Sequence, residues 1–77
     1  MPVLIRLHQC SILMFFNDHN PPHFHVATRD GRDAQVEIAT LRVIRGRVDR
    51  RALREATEWA STRREVLMEI WRDYSSD

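Results

Sequence analysis

The sequence contains no lysine. All 12 of its basic residues are arginine, and against 11 acidic residues they leave a formal net charge of +1. So small a balance excludes whole-molecule electrostatic steering toward nucleic acid. Local charge is another matter. Six arginines (Arg42, Arg45, Arg47, Arg50, Arg51 and Arg54) fall in one segment with a single acid, Asp49. A solvated face in a GC-rich genome would carry such a set. So would an anion site, because arginine forks match phosphate and carboxylate oxygens better than lysine does. There is one cysteine, Cys10, so an internal disulfide is excluded. Its apolar neighbourhood favours a small buried hydrophobe in a reducing compartment. Arg6 interrupts the first apolar stretch, and no run is long enough for a membrane span. Met1-Pro2 has no basic leader character. The expectation is a soluble, bacterial-type cytoplasmic protein with no membrane partner. At 77 residues it is one domain, near the lower edge of unaided stability.

The first half of the chain reads as strands, roughly residues 3–46, and the second as helix, roughly 50–74. Val3–Leu7 is a short apolar run. Ser11–Phe16 is apolar on both faces and reads as a central strand. Asn17–Pro22 breaks it with turn formers. His23–Thr28 and Asp33–Ala39 alternate around Asp30-Gly31, a hairpin signal. A two-residue loop would set Phe24 opposite Glu37 and mix polar with apolar faces. A three-residue loop, Arg29-Asp30-Gly31, with Gly31 left-handed, pairs Phe24 with Val36, Val26 with Ala34, His23 with Glu37 and His25 with Gln35. The hydrophobic pattern selects the second register. Arg42–Arg45 reads as an edge strand ended by Gly46.

From Asp49, a reasonable N-cap, the period becomes helical. Leu53, Ala56, Trp59 and Ala60 form one stripe, and Val66, Leu67, Ile70, Trp71 and Tyr74 another. A single helix over 50–74 would be about 37 Å long, more than the roughly 30 Å width of such a domain. Two helices broken near Ser61-Thr62 are expected, with Thr62 and Glu65 at capping-box spacing. One long helix packed in a dimer is the alternative. Trp59 and Trp71 read as core anchors. The fold class is α+β, a mostly antiparallel sheet of four or five strands covered by a C-terminal helical hairpin.

The segment Phe15–Val26, FFNDHNPPHFHV, holds three of the four histidines. His23 and His25 project from one face of a strand. They can converge on a divalent, zinc-like transition metal, with His19 as third ligand and Asp18 or Glu37 as oxygen donor or orienting group. Without metal, His19, His23 and His25 can serve as general acid and base in cleavage of RNA. Arg50, Arg51 and Arg54, beside free helix N–H groups, would then hold phosphate. In a third reading Asn17, Asp18 and Asn20 cap their own turn and the histidines are struts. Pro21-Pro22 is the better cis candidate of the two X-Pro bonds.

The run from Met14 to His25 resembles the signature of a family of small bacterial domains of unknown function, with its Asn-Asp-His-Asn-Pro-Pro-His-Phe-His core. Arg50-Arg51-Ala52-Leu53, Glu58-Trp59-Ala60 and Arg64-Glu65 resemble that family's helical half. The family often has histidine where this chain has Arg63, which argues against a ligand at that position here. It often has glycine where this chain has Leu41. The resemblance implies no established reaction. It implies a partner, since such domains are often encoded beside another small protein, as in toxin–antitoxin modules. Three functions follow as expectations: a toxin-like protein acting on RNA or DNA, a metal-binding hydrolase, or a non-catalytic module for a small partner protein.

Overall fold

Strand alternation and short turns build a five-stranded antiparallel meander. In the computed structural model, which describes residues 3–75, the strands are β1 (Val3–Arg6), β2 (Ser11–Leu13), β3 (His23–Ala27), β4 (Asp33–Glu37) and β5 (Val43–Gly46). Neighbours in sequence are neighbours in the sheet throughout. Two helices follow, α1 (Arg50–Ser61) and α2 (Arg64–Ser75). The fold is α+β, as the sequence indicates.

The β3–β4 hairpin has the register that the apolar pattern selects. His23 pairs with Glu37, Phe24 with Val36, His25 with Gln35 and Val26 with Ala34. The loop is Arg29-Asp30-Gly31, closed by the Gly31 N–H donating to Thr28 O, with Gly31 at φ +87°. One sheet face is therefore apolar. Phe24, Val26, Val36, Ile38, Ile12 and Met14 are fully buried in one core with Ala52, Ala56, Ala60 and Leu67 of the helices. The other face carries His23, His25, Gln35 and Glu37.

α1 presents an alanine stripe to this core, so the helix sits close to the sheet. Leu53 and Trp59, expected in the buried stripe, are half-buried at its margins. Asp49 caps α1, its Oδ1 accepting from Ala52 N at 2.8 Å. The break between the helices falls where expected, but Thr62 acts differently. It is the C-cap of α1, its N–H donating to Ala60 O, and its hydroxyl accepts from Arg63. The capping box to Glu65 does not form because α2 starts at Arg64, one residue later than an N-cap at Thr62 requires. Arg63 lies over the Trp59 ring at 5.0 Å and donates to Trp59 O. In α2, Leu67 and Trp71 are buried, while Val66 is exposed because it points away from the sheet. No helix among the described residues is long and apolar enough to cross a membrane.

Two non-glycine residues take left-handed backbone, Asn17 (φ 57°) and Leu41 (φ 60°). Leu41 closes the tight turn between β4 and β5, donating its N–H to Glu37 O. That conformation is disfavoured for any residue with a Cβ, and glycine would suit it. The cis peptide bond is Asn20–Pro21, not Pro21–Pro22. Pro22 is already extended beside β4, its carbonyl accepting from Ile38 N.

Candidate metal centre

The loop between β2 and β3 folds back over the polar face of the sheet. Asn17 makes the reversal, and its N–H donates to Tyr74 O at 3.0 Å, satisfying a carbonyl of the last turn of α2 that has no intrahelical partner. Phe16 stacks beside Tyr74 at a centroid distance of 4.2 Å. The next residue, Asp18, is thereby aimed at β3. Its Oδ1 accepts from His19 N. Its Oδ2 lies 3.0 Å from His23 Nε2 and 3.2 Å from His25 Nε2.

Each imidazole is held from behind. His23 Nδ1 donates to Pro21 O at 2.7 Å. His25 Nδ1 faces Asp33 Oδ1 at 3.4 Å. The rings are walled by aromatics. Phe15 meets His25 edge-on at 4.5 Å, and Trp71 lies 5.1 Å from His23. His23 is 2% exposed and His25 8%. A carbonyl can only accept, so His23 Nδ1 carries a hydrogen. In a neutral ring Nε2 then presents a lone pair to a carboxylate oxygen, which also presents lone pairs. His25 has carboxylates at both nitrogens and, when neutral, only one hydrogen. His25 can donate that hydrogen to Asp18, whereas the His23 contact becomes favourable when positive charge lies among these three atoms, as a metal ion or as a proton.

Burial pushes the Asp18 carboxyl up. The hydrogen bond with His25, the His19 N–H and the charges of His23 and His25 together outweigh it and hold the group below its ordinary value.

Asp18, His23 and His25 can hold a metal ion, one ligand atom from each lying within 4.8 Å of the others. Ligands about 2.0–2.2 Å from an ion sit about 3.3–3.5 Å apart in a tetrahedron and about 2.9 Å apart at right angles. The observed 3.0 and 3.2 Å lie between these values. Two imidazoles and one carboxylate leave coordination positions open, as catalytic sites require.

The structure brings together only part of the set proposed from sequence. His19 is 87% exposed, and its ring approaches Asp18 only at the other oxygen, Oδ1, at 3.6 Å. Glu37 shares the face of His23 but accepts from the Thr40 hydroxyl at 2.8 Å. Arg50, Arg51 and Arg54 are exposed on α1. That helix begins at the hairpin end of the sheet, where Asp49 shares a cleft with Thr28, Arg29 and Asp30, whereas His23 starts β3 at the other end. Arg63, at the helix–helix turn, is about 12 Å along α2 from Trp71 by helical rise. Two members went unseen in the sequence. Asp33 is two and four residues before Gln35 and Glu37, so strand alternation already put it on the histidine face. The Pro21 carbonyl had no signal.

A family model described as Domain of unknown function (DUF4160) matches residues 10–72. No curated protein and no solved structure gives a match.

Proposed function

For this chain, which belongs to the DUF4160 family of domains of unknown function, we propose the role of a metal-dependent hydrolase. In this reading His23 Nε2, His25 Nε2 and Asp18 Oδ2 hold a zinc-like divalent ion. The single observation that carries it is the convergence of two imidazole Nε2 atoms on one carboxylate oxygen while both Nδ1 atoms are tied to acceptors. Metal-bound histidines are oriented by just such acceptors behind them. Pro21 O fixes the tautomer of His23, and Asp33 helps orient the His25 ring.

A bound ion of this kind lowers the pKa of a coordinated water toward neutrality. That chemistry would supply the nucleophile for hydrolysis of a phosphate or carbonyl ester, with the water's proton passing to the leaving group, while His23, His25 and Asp18 would hold the ion. Trp71 and Phe15 keep water from the sides of the imidazoles, which strengthens the electrostatics of the centre. Asp33, 53% exposed at its side chain, lies at the open rim.

A second reading has its own support. His25 lies between two carboxylates, and in this reading the histidine pair acts as general acid and base without metal. The two separate on one experiment. Protein purified without chelator is assayed on a chromogenic phosphodiester before and after EDTA, then after zinc is restored. Loss and recovery of hydrolysis support the metal centre. Activity that persists in EDTA and disappears in His23→Ala supports the acid–base pair. Absence of hydrolysis in every state contradicts both.

A further inference from the structure

The polar face of the sheet is ordered in columns. β3 supplies His23 and His25, and β4 supplies Glu37 and Gln35 beside them. β5 continues the rows. Gln35 pairs with Arg45, and the Glu37 N–H donates to Arg42 O at 2.9 Å. Cross-strand partners share a face, so Arg45 and Arg42 lie on the side of the histidines. Two strand spacings separate the β3 and β5 columns, about 10 Å, within reach of an extended arginine. Arg47 follows, its N–H donating to Asp33 O.

All three arginines are exposed, and none forms an ion pair among the described residues. The acids of β4 do not neutralise them, because Asp33 faces His25 and Glu37 accepts from Thr40. The strand is fixed where it stands. Gly46, at φ +78°, passes so close to the Asp33 carbonyl that a Cβ there would clash with backbone. A fixed, unpaired arginine column on a strand edge calls for an anionic ligand. A second copy of this chain would bring arginine to arginine, which is repulsive.

We infer that Arg42 and Arg45, with Arg47, form a phosphate-binding row, and that the ligand crossing the metal centre is a single-stranded nucleic acid. Arg42 and Arg45 are three residues apart, and the register shift of β5 sets them beside Glu37 and Gln35, so their Cα atoms are separated by about 7–10 Å, within which two flexible arginine forks reach neighbouring phosphates of an extended strand. Arginine forks grip such oxygens in pairs. This deepens the hydrolase reading by naming its substrate class, but binding itself needs no metal.

The test is therefore run in EDTA, with a fluorescein-labelled oligouridine as the probe and anisotropy followed across a salt series. The parent binds with an affinity that falls linearly on a log–log salt plot. Arg42→Gln plus Arg45→Gln weakens binding more than tenfold at low salt and flattens the slope by about 0.7 per arginine. A charge-matched control on the helical side, Arg64→Gln plus Arg72→Gln, keeps the slope, as does Arg42→Lys plus Arg45→Lys. The His23→Ala plus His25→Ala variant still binds. No salt-dependent binding by the parent, an unchanged slope in the glutamine pair, or equal affinity for polyglutamate would overturn the inference. Failure of zinc to bind the parent would contradict the hydrolase reading and leave this result standing.

Discussion

Asp18 Oδ2 lies 3.0 Å from His23 Nε2, although that ring already donates its other nitrogen's hydrogen to Pro21 O. With a neutral imidazole and an ionised carboxylate neither atom has a hydrogen to offer, so the contact favours a proton or a metal ion at this point. The consequences divide between ion binding, acid stability and the loop that aims the carboxylate.

Asp18→Asn keeps the shape of the side chain and removes its charge. We predict that zinc affinity falls by at least tenfold to a hundredfold, the range seen even for residues that only support a ligand. His19→Ala should leave affinity unchanged, since the His19 ring is 87% exposed and lies off the shared oxygen. Competition titration with a chromogenic chelator measures both.

Acid should expose the same carboxylate in the metal-free protein. Burial raises the Asp18 carboxyl, and the hydrogen bond with His25, the His19 N–H and the charges of the two histidines lower it further than burial raises it. A folded value below the unfolded one means the group contributes stability above the ordinary value of 3.8. That contribution is lost as pH falls through the folded value. Urea midpoints of parent and Asp18→Asn in EDTA should differ at pH 7 and converge once pH has fallen through the lowered folded value of Asp18.

Leu41 inverts the usual order of substitutions. Its left-handed backbone (φ 60°) costs about 1–2 kcal/mol, and its side chain is partly buried against the core. Leu41→Ala keeps the strain and loses the packing. Leu41→Gly loses the packing and relieves the strain. Thermal melts should place the glycine variant above the alanine variant by about 1 kcal/mol. Alanine at or above glycine would show that the turn is not held in that conformation.

The contrast between what sequence disclosed and what it hid follows from the range of each signal. The hairpin register was legible because apolar and polar residues alternate strictly on both strands. One residue of slip would have put Phe24 opposite Glu37. The helix break was legible from length. Membership of the ligand set was not. Histidine is the obvious ligand type, and His19 stood in the loop beside the strand pair. Yet the αL turn at Asn17 presents Asp18 to the imidazoles and leaves His19 in solvent. That turn is fixed by a long-range bond to Tyr74 O, which no local pattern encodes. The arginines show the same limit. Arg50 and Arg51 stand out locally beside the free N–H groups of a helix N-terminus, whereas strand pairing places Arg42 and Arg45 on the histidine face.

Glu55 holds the β1–β2 turn from α1. Its two oxygens accept from His8 N at 3.0 Å and Gln9 N at 2.7 Å. Burial, followed by the Glu55 charge, pushes the Cys10 thiol up to about 11. Cys10 should react with iodoacetamide far more slowly than a free thiol at pH 8. Glu55→Gln should speed that reaction by lowering the thiol value and loosening the turn. Glu55→Ala should lower stability by about 2–3 kcal/mol through two lost charge-assisted bonds. Rapid alkylation of the folded parent would contradict the buried placement of Cys10.

The metal centre is tested most directly by long-range proton–nitrogen NMR of the four imidazoles during a zinc titration at neutral pH. The Nε2 resonances of His23 and His25 should move to metal-bound positions and stop at one equivalent. Those of His8 and His19 should stay where they are. Resonances of His23 and His25 that do not respond to zinc, or that respond only together with His19 and without saturation, would contradict the centre.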